Sequence, residues 1–230
     1  MNKSLVDKQR EWVKQSGIEL AGMDKVEVEA YIIQRAREVV QSITEHARRD
    51  IGILSVSLER SELLMWSHYS DSHRGFVVGF EGLHDYFQKG IPDKRGGLRR
   101  VIYTEKRPYL PPFDRFSAYN VAEILLFAKS PHWSYERELR MLHNIEHADI
   151  NLGPDQGGHN IYLFKFPPET VKEIILGCQM PEDKRQELIA VAREKYPEAK
   201  IFQAAMNKTE FKLDLEELET KALAESSASN

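Results

Sequence analysis

Two apolar strand patterns, Ile53-Leu54-Ser55-Val56-Ser57 and Gly75-Phe76-Val77-Val78-Gly79-Phe80-Glu81, enclose the run Glu62-Leu63-Leu64-Met65-Trp66-Ser67-His68-Tyr69-Ser70-Asp71-Ser72-His73. This arrangement limits the fold more than any other stretch of the chain. It sets a tryptophan, two histidines, a tyrosine, an aspartate and several hydroxyls between two strands, where a rigid scaffold can present polar groups in a fixed geometry.

Helical and strand periodicities surround this centre without regular alternation. Asp24 with Glu27 three residues on is a capping-box pattern, and Val26, Ala30, Ile33, Val40, Ile43 and Ala47 follow at helical spacing, which predicts one long helix ending near Asp50. A weaker helical pattern precedes it at residues 5–16. A short helix is expected around Leu83–Gln88, and a strand over Leu98–Tyr103. Ser117 opens a helix through Ala128 that is apolar around most of its circumference and so is expected to be buried. Further strands are expected at Ser134–Leu142, Ile161–Phe166, Val171–Leu176 and Ile201–Ala205, with Asn151–Asn160 a loop and Glu182–Lys195 a helix packing Leu188, Ile189 and Ala192. Phe211, Leu213 and Leu215 alternate as an edge strand.

The fold class predicted is α+β, a single domain with a mixed or antiparallel sheet, a long N-terminal helix and a buried helix at 117–128. Its parts are a helical segment over 1–50, a core over 51–215 and a flexible acidic tail over 216–230. At 230 residues and 41% hydrophobic composition the chain can bury one substantial core.

Charge and cysteine content narrow the partners. With 32 basic and 36 acidic residues the net charge is −4, so no global field draws the chain to nucleic acid or an anionic membrane. Positive charge is local: Lys89, Lys94, Arg95, Arg99, Arg100, Lys106, Arg107 and Arg115 outnumber Asp93, Glu105 and Asp114, and the Gly96-Gly97 turn beside them could hold a phosphate. A solvated surface loop accounts for the same residues. One cysteine, Cys178, forms no internal disulfide, and no apolar run approaches the roughly 20 residues that span a bilayer. A cytoplasmic location and no membrane partner are expected.

His68, Asp71 and His73 carry ligand-type groups, but positions five apart on a helix diverge by about 140°, so no metal site is expected there. The candidate for chemistry is the stretch Trp133 to Arg140. Read as a strand, it places Glu136, Glu138 and Arg140 on one face, where they must meet water, a partner or a site. Paired carboxylates can divide the work of orienting a sugar hydroxyl and acting as base. Arg140 or Lys129 can neutralise a phosphate, and Trp133 or Tyr135 can stack a flat ring. The competing reading is the charged outer face of an edge strand.

The block Met65-Trp66-Ser67-His68-Tyr69-Ser70-Asp71-Ser72-His73-Arg74-Gly75-Phe76-Val77-Val78-Gly79-Phe80, with Val101-Ile102-Tyr103, Lys129, Trp133, Tyr135-Glu136 and Glu138-Leu139-Arg140, resembles the bacterial domain of unknown function 2971 family over about residues 50–215. The Tyr-rich strand and Asn-Asp-Pro-Phe segment that usually open that family have no counterpart, so a truncated or divergent member is expected. The family implies no activity of its own; its genomic setting implies a role in phage defence. A middle His-Tyr block and a late Glu-x-Glu stretch resemble the ADP-ribosyltransferase plan, with NAD as substrate. That resemblance implies Glu138 or Glu136 as catalytic carboxylate, His68 as a ribose contact and Tyr69 or Trp133 as stacking ring. Trp66, Tyr69, His73, Trp133, Arg140 and Lys129 form the expected substrate-binding set around a nucleotide. The alternatives are a non-catalytic binding or regulatory module, and a metal-dependent nuclease using Asp71, Glu136, Glu138 and Lys129.

Overall fold

A computed structural model describes residues 23–88, 97–108 and 125–218. The expectations for residues 5–16, most of the basic 89–115 loop, the helix over 117–124 and the tail beyond 218 lie outside the described residues. The rest is α+β, as the sequence predicts.

The described residues form two compact units. One draws on the chain up to Gly52, on Val101–Pro131 and on Asn144–Glu146; the other on Ile53–Arg100, His132–His143 and the chain from His147. The first unit contains helix α1 (Lys25–Asp50), whose start realises the capping box. The Asp24 carboxylate accepts from the backbone N–H groups of Val26 at 2.7 Å and Glu27 at 2.9 Å, while the Glu27 carboxylate takes the Asp24 N–H at 2.8 Å. The expected apolar face is shifted: Ile32 is buried, whereas Val26 and Ile33 are exposed.

In the second unit a four-stranded sheet runs in the order β11–β10–β9–β2, from strands Leu213–Glu217, Lys200–Met206, Val171–Leu176 and Phe76–Phe80. Strand β9 pairs parallel with β10 and antiparallel with β2, and β10 pairs antiparallel with β11. The parallel pair requires a crossover, and the helix over Glu182–Lys195 supplies it. This sheet is covered on both faces, which is why β9 reads as an unbroken apolar run after Glu173. On one face Ile175, Phe202, Ala204 and Leu213 close around Trp66; on the other Ile174, Leu176 and Ile201 meet Leu188, Ile189 and Ala192 of the crossover helix. Trp66 comes from helix α2 (Leu63–Tyr69), and α3 is the short turn Asp85–Gln88, so the crossover helix is α4.

A second sheet in the order β1–β6–β3 joins Ile51–Ser57, Glu138–Asn144 and Arg99–Arg100. The single strand expected over Leu98–Tyr103 is divided. Arg99–Arg100 pairs with β6, whereas β4 (Ile102–Tyr103) pairs with β5 (Ala128–Lys129), so Ala128 belongs to a strand rather than to the expected helix. The loop expected over Asn151–Asn160 is in its first part a strand: β7 (Ile150–Pro154) forms a hairpin with β8 (Asn160–Leu163). Gly153 and Pro154 suggested a turn, and cross-strand pairing overrides that local preference. Among the described residues, no helix is long and apolar enough to cross a membrane.

Candidate functional site

Helix α2 divides the central block between core and surface. Trp66 is 2% exposed and its indole N–H donates to the Arg60 carbonyl at 2.9 Å. His68 and Tyr69 lie on the exposed side of the same helix. Beyond the helix, Asp71, Ser72 and His73 all adopt positive φ, at 47°, 52° and 66°, a run that turns the chain sharply toward β2. The turn folds His73 back so that its ring lies parallel to Trp66 at 6.4 Å, and its Nδ1 is buried with no hydrogen-bond partner. Trp66 and His73 are therefore inside the fold rather than in an exposed substrate-binding set, and His73 lies beyond the end of the helix that carries His68.

The stretch Trp133–Arg140 is not one strand. Pro131–Glu136 is a 3-10 helix and β6 begins only at Glu138; between them Arg137 takes a φ of 44°. A residue in the left-handed region breaks the period-two alternation, so Glu136 and Glu138 do not share a strand face as the sequence suggested. Both carboxylates are buried rather than turned to water, at 3% and 7% exposure.

Their surroundings give them different roles. Glu138 accepts from Nε and one terminal nitrogen of Arg140, at 2.7 and 3.0 Å, in a bidentate pair. Glu136 accepts the Tyr69 hydroxyl on Oε1 at 2.8 Å. Its backbone is clamped to the end of β1: the Ser57 hydroxyl donates to the Glu136 carbonyl at 2.6 Å, Leu58 N–H donates to the Arg137 carbonyl, and the Arg137 guanidinium pairs with Glu59. Ser57 and Glu59 were not legible as contributors, because the contacts join residues 79 and 78 positions apart.

Around the Tyr69–Glu136 bond the rings cluster. His68 lies 6.2 Å from Trp133 and 6.3 Å from Tyr69, and Trp133 lies 6.1 Å from Tyr135. Trp133 is 37% and Tyr69 61% exposed, so these rings present an aromatic surface with a carboxylate buried beneath it. The fold thus brings together His68, Tyr69, Trp133 and Glu136, pairs Glu138 with Arg140, and pairs Trp66 with His73. Lys129 lies in β5 of the other compact unit, where its carbonyl accepts the Thr104 N–H at 2.9 Å.

Two residues of the nuclease alternative are already engaged. Asp71 holds Arg74 at 2.9 and 3.0 Å, which lowers its carboxyl pKa chiefly through the hydrogen bond, and Glu138 holds Arg140. Among the described residues no three His, Cys, Asp or Glu side chains are grouped to hold a metal ion. Cys178 is half-buried against the Trp66 cluster, and burial raises its thiol pKa, the opposite of an activated nucleophile.

An α+β scaffold carrying an aromatic surface over a buried carboxylate is what the geometry defines. The family described as protein of unknown function, DUF2971, matches the chain over residues 65–141. This bears out the resemblance over those residues, a shorter stretch than 50–215, and the matched stretch contains all nine candidate site residues from Trp66 to Arg140. No curated protein matches the chain, and no solved structure does.

Proposed function

We propose that the surface formed by His68, Tyr69, Trp133 and Tyr135 binds a nucleotide-type ligand by stacking its flat ring, with Glu136 as the carboxylate nearest the chemistry. The single observation that carries this reading is the exposed Trp133 ring, flanked by His68 and Tyr135, beside a buried Glu136 that Tyr69 bonds. Stacking on aromatic side chains holds a base with little demand on its identity, by about 1–3 kcal/mol for each ring engaged.

In an ADP-ribosyltransferase-like reaction the C1′–N bond of NAD breaks and nicotinamide leaves with the bonding electron pair. Positive charge develops on the ribose, and a nucleophile of the acceptor then adds at C1′ and gives up its proton. A buried carboxylate stabilises the developing charge and can take that proton. Glu136 is the carboxylate joined to the exposed rings, through its bond to the Tyr69 hydroxyl, whereas the Glu138 oxygens accept from Arg140. A place in phage defence is supported only by the family resemblance, and the non-catalytic module is the rival.

A thermal-shift titration with NAD, ADP-ribose, ATP and GTP tests the binding. Ligand at a hundred times its Kd stabilises the fold by about 2.7 kcal/mol, a rise of several degrees. The expected result is a rise with at least one of them that Trp133→Ala removes. No rise with any, or the same rise in Trp133→Ala, would overturn the reading. Where binding is present, Glu136→Gln should keep it and lose turnover, whereas a binding module would show no turnover to lose.

A further inference from the structure

We propose that the β7–β8 hairpin is the surface through which two copies of this chain associate, face to face about a twofold axis. Side chains alternate along a strand, so Ile150 and Leu152 of β7 share one face with Ile161 and Leu163 of β8. Ile150 stands directly opposite Leu163, and the irregularity marked by Gly153, at a φ of 77°, falls beyond Leu152 and leaves that face intact. In that order Ile150, Leu152, Ile161 and Leu163 are 40%, 62%, 39% and 42% exposed. The other face is the one turned to the protein: Phe164, which continues the alternation from Tyr162, packs its ring centroid 4.9 Å from that of His143 in β6. Among the described residues no third strand joins the hairpin. A two-stranded ribbon is marginal in water unless one of its faces is covered.

The pattern on the face selects a second copy as its cover. Like residues stand on the diagonals, Ile150 with Ile161 and Leu152 with Leu163, so the patch nearly repeats itself under a half-turn. An isologous dimer needs such a self-complementary patch. With the axis running across the strands, Leu152 meets Ile150 of the second copy and Ile161 meets its Leu163. Charge agrees with that axis. Asp155 and His159 close the tip through a 2.8 Å backbone bond, and Lys165 stands at the base, its N–H held by the Asp149 carboxylate at 2.7 Å. His159 lies two residues before Ile161 and Lys165 two after Leu163, so tip and base are equally far from the centre of the patch. Each tip therefore lies over the other copy's base, with Asp155 opposite Lys165 twice. The four side chains leave on the order of 350 Å² of apolar surface, and with flanking residues two copies bury about 1,000 Å² in total, which suits a reversible dimer rather than a permanent one.

Sedimentation velocity on the full chain from about 5 to 500 μM tests this, with an expected monomer–dimer Kd on the order of tens of micromolar. Leu152→Asp sets a carboxylate against the apolar patch at a position that is already exposed, so it should keep the wild-type Tm and weaken the dimer at least about tenfold. Lys165→Glu turns the two tip-to-base attractions into repulsions and should weaken it about threefold or more, and it supplies the test if Leu152→Asp does not fold. A wild type that stays monomeric at every concentration would overturn the proposal and leave the face to another occupant. So would a dimer whose Kd neither variant changes.

Discussion

Replacing Gly177 with alanine should damage the fold more than any other single-methyl addition at a glycine of the described residues. A Cβ built at this position falls 2.1 Å from the His73 carbonyl oxygen and 2.7 Å from that of Gly75. Both are backbone atoms, so no side chain can swing aside. Both are also committed: His73 O accepts from Gln179 N–H at 3.0 Å, and Gly75 O from Gly177 N–H at 2.9 Å. Relief of the clash separates the Gly75–Gly177 bridge and pushes on the His73 turn that stacks against Trp66. Two backbone bonds lost or left unsatisfied inside the protein cost about 3–5 kcal/mol together, a fall in Tm of roughly 10 °C. Chemical denaturation of Gly177→Ala, with Gly82→Ala beside it, measures this. Gly82 has nothing within 4 Å of its added Cβ and should change stability by less than about 0.5 kcal/mol. A loss below about 1 kcal/mol at Gly177 would refute the packing described for this turn.

Other outcomes follow from the same geometry. Trp66→Phe keeps most of the core volume but strands the Arg60 carbonyl, and should cost about 2 kcal/mol by denaturant titration, against about 3–5 for Trp66→Ala. Arg137 pays a left-handed penalty of about 1–2 kcal/mol while its ion pair with Glu59 is partly solvated, so Arg137→Gly should be more stable than Arg137→Ala by roughly 1 kcal/mol. His143 packs between Tyr86 and Phe164, and burial first, then the nearby His147, holds its pKa below the usual histidine value. Its neutral form is therefore the one the fold accepts. The stability it contributes is complete above about pH 6.5 and is lost as pH falls toward the lower folded-state pKa. The Tm drop between pH 7.5 and 5.5 should be smaller in His143→Phe, and an unchanged drop would contradict that assignment.

What could be read from the chain was local. The apolar run of β9 and the spacing of Leu188, Ile189 and Ala192 in α4 announced themselves, because a sheet covered on both faces and an amphipathic helix impose those patterns directly. The Asp24–Glu27 cap was legible for the same reason, its two partners being three residues apart. The candidate site was legible in composition but not in arrangement. Nothing in Tyr135-Glu136-Arg137-Glu138 announces that Arg137 will take a left-handed conformation, since the contacts that enforce it come from Ser57, Leu58 and Glu59 on a distant strand. With that turn in place, Glu136 joins Tyr69 and Glu138 joins Arg140, a division that strand alternation hid. Trp66 and Tyr69 look alike as aromatic candidates three residues apart, yet the helix buries one and exposes the other.

A ring-stacking site requires that Trp133 touch its ligand. Of the three tryptophans, Trp12, Trp66 and Trp133, the Trp66 ring is sealed in the core, so stacking should quench Trp133 emission selectively. Titrating the chain with NAD⁺ and ADP-ribose while following tryptophan fluorescence, in wild type and in Trp133→Phe of matched Tm, is the direct measurement. Saturable quenching in the wild type that disappears in Trp133→Phe is the predicted result. Quenching that persists in the variant, or none in either protein, would contradict the ring-stacking site.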